Sequence, residues 1–338
     1  MKVTNRTKII AWLNKMTQDS IVVAPVDSAG KLVYDEIQDE SQIVWDFERT
    51  DMPPRNWALP MTEPILIIEQ GKKTILKVPP APRDTILFGV RPCDARSFLA
   101  LDALFLDKAP VDPIYASHRK ALTLIGFACE TMWDSCFCTV VGGSPDSTEG
   151  LDILLTKVKE GYVVEILSEK GEKLAASLDT EDKETSIIPP TLKQGLPTLQ
   201  SSASWQAQFN DMFWTQLSHS CLSCRACSFV CPTCRCYDVR DERTALKPGL
   251  KEFERLRAWD SCTASGYRRI AGGHNPRDTQ TKRLRNRFYC KFIYYPDDFG
   301  AMGCVGCGRC IDACPVGIDI LEVVARVEQL AEKAAVAG

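Results

Sequence analysis

The chain has 338 residues, long enough for two domains, and its 45% hydrophobic content is ordinary for globular cores. A net charge of −3 favours neither nucleic acid nor an anionic membrane surface as a partner. No segment approaches the run of about 18 apolar residues that a spanning helix needs. The N-terminus, MKVTNRTKIIAWLNKM, has lysines but no apolar core of signal-peptide type, so a cytoplasmic location is expected.

Taken in order, the first half alternates strands and helices. A helix is predicted from about Thr4 to Lys15, then strands at IVVAPV from Ile21 and KLVYDEI from Lys31. A proline-punctuated stretch from Val44 to Pro64, with Trp45 and Trp57, reads as irregular and as a partly exposed docking arm. PILIIEQ and TILKVP flank a turn at Gly71 and predict a hairpin. TILFGV from Thr85 is a buried-type strand running into a helix at about Asp94, and ALTLIGFAC from Ala121 is another such strand. LDILLTKV and GYVVEIL predict a second hairpin, and EKGEKLAASL a short helix. The Pro/Ser/Thr-rich stretch from Thr180 to Ser204 reads as a linker, followed by a helix over SWQAQFNDMFWTQLSH. Beyond it, short helices and turns are expected, closing on an amphipathic helix, IDILEVVARVEQLAEKAAV.

Cysteine and charge divide the chain at the same place. Residues 1–220 hold four of the 16 cysteines and are acidic, with 22 Lys/Arg against 30 Asp/Glu. Residues 221–338 hold the other twelve and are basic, 19 against 14. The expected architecture is therefore an α/β N-terminal domain (1–195) and a mainly α-helical, ferredoxin-like domain with two [4Fe–4S] clusters (196–338). In a reducing compartment so many cysteines read as metal ligands and not disulfides, and three histidines leave thiolate as the dominant ligand.

The decisive feature is a repeat. Cys221, Cys224, Cys227 and Cys231 follow C-x2-C-x2-C-x3-C-P, and Cys304, Cys307, Cys310 and Cys314 repeat it. This is the two-cluster ferredoxin spacing, in which three close cysteines hold one cubane and the fourth reaches across to the other. Crossed ligation assigns Cys221, Cys224, Cys227 and Cys314 to one cluster, and Cys304, Cys307, Cys310 and Cys231 to the second. A four-cysteine zinc site would need two C-x2-C pairs, not two triplets each followed by x3-C-P.

Two further groups of four remain. Cys93, Cys129, Cys136 and Cys138 fall after predicted strands, where doubly wound sheets assemble their sites, and are expected to hold a third [4Fe–4S] cluster. Incidental buried cysteine is the alternative. Cys234, Cys236, Cys262 and Cys290 have no assigned role, with packing beside the first cluster loop competing against a further cluster. The basic stretch from Arg268 to Arg287 carries seven positive residues and one aspartate, and is expected to pack over the cluster module or dock an acidic partner.

RPCDARSF, ACETMWDSCFC, CLSCRACSFVCPTCRCYDV, AGGHNPR and GCVGCGRCIDACPVGIDI together resemble the iron–sulfur β subunit of sulfhydrogenase-type soluble [NiFe] hydrogenases. They are equally similar to the A subunit of anaerobic sulfite reductases and to subunits of flavin-linked electron-bifurcating complexes. The resemblance runs from about Thr85 to Ile320. It implies a subunit that relays electrons between a separate FAD- and NAD(P)H-binding subunit and a separate catalytic subunit, of hydrogenase or sulfite-reductase type. Cys290 departs from the pattern, standing where the family is expected to have histidine. The absences agree with a relay, because no G-x-G-x-x-G after a strand, no G-x4-G-K-[ST] and no H-E-x-x-H occurs. The alternative is a self-contained iron–sulfur flavoenzyme with its own substrate site at Cys93 and the CFC loop.

Overall fold

The structure is a computed structural model and describes residues 1–247 and 250–337. Its strands, in chain order, are β1 (Lys2–Thr4), β2 (Ile21–Ser28), β3 (Lys31–Glu36), β4 (Thr62–Gln70), β5 (Thr74–Lys77) and β6 (Thr85–Val90). They continue with β7 (Leu122–Phe127), β8 (Ile153–Val158), β9 (Gly161–Ile166), β10 (Glu181–Asp182), β11 (Tyr237–Lys247) and β12 (Leu250–Trp259). Eight of these form one sheet in the order β10-β1-β9-β8-β7-β6-β2-β3. Its centre, β2, β6, β7 and β8, is parallel, with antiparallel strands on both sides. All six residues of β6 are buried, as a parallel strand covered on both faces requires.

Helices cover the two faces. In α1 (Arg6–Met16), capped by Asn5, the buried Ile9, Trp12, Leu13 and Met16 follow helical spacing and pack on one face with Val22, Phe88 and Ile125. Against the other face lie α2 (Pro92–Phe105) and α3 (Pro113–Ala121), burying Phe98, Leu101, Phe105 and Tyr115 with Leu87 and Leu124. Trp45 is buried against Phe88 and Phe127 in the core on the α1 face. The expected docking arm thus has its first tryptophan inside the fold, and only Trp57 is half-buried.

The expectation of mainly helical structure after residue 196 misses a long hairpin. β11 and β12 pair with each other, and β12 pairs with β4, giving a second sheet in the order β11-β12-β4-β5. This sheet draws on both halves of the sequence. Arg257 ties it down, buried with Glu63 at 2.6 Å and also paired to Asp112. Arg55 stacks 3.5 Å over the ring of Trp259, whose indole N–H donates to Leu59 O. The helix predicted over SWQAQFNDMFWTQLSH is two pieces, α5 (Ser202–Ala207) and α6 (Phe213–Ser220). Between them the Asp211 side chain accepts from Phe213 N–H, a local bond that competes with helix.

α4 (Glu169–Ala175) packs on the sheet beside α1, where Trp12 Nε1 donates to Leu174 O, while around the repeats stand α7 (Ala226–Phe229), α8 (Gln280–Tyr289), α9 (Tyr295–Phe299), α10 (Arg309–Asp312) and α11 (Ile320–Ala337). Trp205, Trp214, Phe288, Phe292, Val324 and Val327 form the core of this region, and Phe137 and Val141 join it from the N-terminal half. The stretch expected as a linker is laid against the fold: Thr191 exchanges backbone hydrogen bonds with Glu130 and Met132.

Candidate metal centres

The two repeat loops share one backbone design. Ser223 and Arg225 flank Cys224 with φ of 54° and 70°, and Gly306 and Gly308 flank Cys307 with φ of 67° and 77°. Left-handed residues on both sides of the middle cysteine curl each loop into a cup, and a short helix follows each, α7 and α10, packed on one another. Glycine takes this conformation freely; Ser223 and Arg225 adopt it at about 1–2 kcal/mol each.

Each cup meets the other repeat's fourth cysteine. Cys221, Cys224, Cys227 and Cys314 line one apolar cavity, closed by Leu284, Phe288 and Ile320. Backbone N–H groups point at its sulfurs, Ser223 N to Cys221 Sγ at 3.4 Å and Ile318 N to Cys314 Sγ at 3.2 Å. Cys231 lies within electrostatic reach of Cys304, Cys307 and Cys310. Each set gathers the four cysteines that crossed ligation would assign to one cluster. Among the described residues no three His, Cys, Asp or Glu side chains converge on a point where one ion could be held. A cubane differs, because its four thiolates bind four separate irons at the corners of a cube. The cups, the aimed N–H groups and the quartets fit that group.

Buried cations surround the thiols. Lys291 Nζ donates to Cys231 Sγ, Thr233 Oγ1 and Gly303 O, each at 3.1 Å. The buried Arg287 reaches Cys227 O at 2.8 Å and Cys234 Sγ at 3.6 Å. A hydrogen bond from Cys234, with Lys291 and Arg287 nearby, holds Cys231 well below the usual thiol range. Burial pushes Cys304 up to about 11 and Cys310 to about 12, so iron would have to displace protons there. Lys291 follows from a π-helical turn, Cys290–Tyr294, which continues α8. Such insertions reset which side chains face inward and recur at functional sites.

The N-terminal quartet also converges. Cys93 sits in the first turn of α2, Cys129 two residues past β7, and Cys136 and Cys138 on the loop that follows. All four line one small apolar cavity at the C-terminal ends of β6 and β7. Burial raises all three thiols that shift, Cys93 strongly, Cys129 to about 12 and Cys138 to about 11. Arg91 stands near Cys129 and Arg49 Nη1 lies 3.6 Å from Cys136 Sγ.

This cavity abuts the second repeat. Phe137 N–H donates to Gly306 O at 2.8 Å, and Gly306 itself lines the cavity. A Cβ on Gly306 would lie 2.5 Å from Cys138 N, and one on Gly308 2.4 Å from Ser135 O, so only glycine permits the approach. Arg309 then locks the two halves. It is 2% exposed, grips the fully buried Asp94 at 2.6 and 2.7 Å, and donates to Thr50 O at 2.7 Å. Arg49 adds a second tie by pairing with Asp312.

Residues 220–318 match the family model of a 4Fe-4S dicluster domain. Over 336 residues the chain is 30% identical to sulfhydrogenase 2 subunit beta of Pyrococcus furiosus, covering 94% of this chain and 95% of that one. The chain belongs to the sulfhydrogenase β-subunit family. It is an iron–sulfur protein of electron transfer, and the resemblance read from its motifs is this family. No solved structure matches the chain. No helix among the described residues is long and apolar enough to cross a membrane. What the motifs of this β-subunit relative did not disclose is the cationic shell. Lys291, Arg287 and Arg49 lie far in sequence from most of the cysteines they serve, and nothing in spacing marks them, while Arg309 stands inside the second repeat between Cys307 and Cys310. Arg287 alone belonged to the basic stretch expected over the clusters, and it does pack there.

Proposed function

We propose that this chain is the electron relay of a multi-subunit, cytoplasmic oxidoreductase, taking electrons between an FAD- and NAD(P)H-binding subunit and a catalytic subunit of hydrogenase or sulfite-reductase type. Cys221, Cys224, Cys227 and Cys314 would hold one [4Fe–4S] cluster, Cys304, Cys307, Cys310 and Cys231 a second, and Cys93, Cys129, Cys136 and Cys138 a third. These groups supply one-electron carriers; the polypeptide positions them, keeps water from their sulfurs and sets the charge around them.

The observation carrying this reading is that the three quartets are consecutive in space. The second repeat touches both others, since Cys310 lines the first quartet's cavity and Gly306 lines the third's. At the first end Cys224 is exposed, and Leu222, 65% exposed, and Val316 present an apolar rim suited to a partner. The third quartet's cavity is apolar and lined by all four thiols, which favours a cluster there over a flavin site.

The test is Cys307→Ser in the assembled complex. NAD(P)H-linked turnover of the whole should stop, while each partner's own reaction with an artificial dye persists. Loss of both half-reactions with assembly intact would place catalytic machinery in this chain and end the relay reading.

A further inference from the structure

Four cysteines lie outside the three quartets. Cys234 is turned inward against Cys231. The other three, Cys236, Cys262 and Cys290, line an open cavity of about 680 Å³ beside the base of the β11–β12 hairpin. The hairpin explains the first two. Tyr237 pairs with Trp259, and Asp260 N–H donates to Cys236 O at 2.8 Å, so the ladder runs past its last paired strand residues and brings the two flanking segments together. Cys236 and Cys262 meet there and line the same cavity wall.

Their surroundings differ. Cys262, the Tyr267 hydroxyl and the Arg235 cation line the cavity with Cys236 and favour its thiolate, drawing it down to about 6. Cys262 is buried and held well above the ordinary thiol range by the adjacent Cys236 and by burial. One thiol is thus an accessible nucleophile and its neighbour a protonated reserve, the asymmetry that thiol–disulfide exchange needs. The cavity wall carries Arg235, Arg268, Arg269 and Arg277 against Asp238, Asp260 and Asp298.

We infer that Cys236 and Cys262 are a reversible dithiol/disulfide couple that reduces small anionic disulfides entering this cavity. The Cys236 thiolate attacks one sulfur of the bound disulfide; that S–S bond breaks and the first thiolate leaves. Cys262 gives up its proton and attacks Cys236 sulfur, releasing the second thiol and closing Cys236–Cys262. Two protein thiols are oxidised and one disulfide becomes two thiols, so electrons and protons balance without a further reactant. Dithiothreitol reopens the pair. This inference rests on the hairpin and does not depend on the relay reading.

Trypsin makes the test direct, because cleavage at arginine isolates residues 236–240 and 258–268, each with one cysteine. Anaerobically purified, iron-containing protein would be treated with oxidised glutathione, quenched with iodoacetamide, digested and weighed. The expected result is those two peptides joined, two glutathione thiols released per chain, and iron content unchanged. Cys262→Ser should stop at a mixed disulfide on Cys236, Cys236→Ser should release nothing, and Cys290→Ser should behave as the parent. Replacing Arg268 and Arg269 with glutamine should slow oxidised glutathione roughly tenfold and leave uncharged hydroxyethyl disulfide unaffected. Recovery of both peptides separately alkylated overturns the couple. So does blockage of both thiols that lifts only when iron or zinc is chelated, which would make them metal ligands. Equal slowing of both disulfides overturns the anionic preference.

Discussion

Asp94, Arg309 and Lys291 show how single buried charges support the cysteine sites. Arg309 sits two residues after Cys307, and its guanidinium is satisfied by both oxygens of Asp94 and by Thr50. Removing one member of such a pair leaves a desolvated charge, at about 3–5 kcal/mol. Asp94→Asn should therefore lower unfolding stability by about that amount in urea titrations, and a loss under 1 kcal/mol would show the pair to be dispensable. Lys291 acts on charge rather than on fold. It stands 3.1 Å from Cys231 Sγ and is buried, so little water screens it. A cation favours the more negative, reduced form of whatever centre Cys231 ligates. Lys291→Met should make that centre harder to reduce, lowering its potential on the order of 60 mV, a tenfold change for one electron. Potentiometry with electron paramagnetic resonance would read it, and an unchanged or raised potential would remove Lys291 from this role.

At the level of elements, the contact between the second repeat loop and the loop from Trp133 to Cys138 joins the halves. Gly306 has φ of 67° and no room for a Cβ against Cys138 N and Phe137 O. Both partners are backbone, so neither can swing aside. Gly306→Ala should separate the loops and empty the N-terminal quartet. Iron analysis should find about four fewer atoms per chain while the ferredoxin-type centres remain. Loss of all iron, or of none, would contradict the division. The sequence carries these elements unevenly. The doubled cysteine spacing prescribes both cups, and even the glycines of the second cup stand in the motif. The unbroken apolar runs of β6 and β7 likewise announce buried strands. By contrast, β11 and β12 are rich in Asp, Glu, Arg and Lys, with exposed β11 side chains from Tyr237 to Arg243, so their strand period is written in charges and not in core residues. Their pairing with β4 is set by tertiary contact, Arg257 with Glu63 above all. Trp45 looks like a surface aromatic in a proline-rich stretch, and only the packed sheet gives it Phe88 and Phe127 as partners.

Across the whole molecule, the distribution of buried charge makes the second half dependent on its metal and the first half much less so. Arg287 and Lys291 are buried among Cys227, Cys231, Cys234, Cys304 and Cys310, and carboxylates do not figure among the charges that hold them ionised. Iron binding is what converts most of these thiols to thiolates, so the metal supplies the counter-charge for the two cations. Without it only Cys231, whose thiol is held well below the usual range, offsets the two cations, and the remaining buried unpaired charge costs several kcal/mol. The eight-stranded sheet has no such debt: its centre is Leu87, Phe88, Leu124, Ile125 and Ile153, all without charge. Chelating iron under anaerobic conditions should therefore raise amide hydrogen exchange in residues 221–236, 286–294 and 304–318, with the increase reaching the Phe137 loop docked on Gly306. Amides of β6, β7 and β8 should stay protected. If exchange rose uniformly, the two halves would unfold as one unit, and the ties through Arg309 and Arg257 would transmit the loss. If it rose nowhere, Arg287 and Lys291 would have to be satisfied without metal, and the electrostatic account of their placement would fail.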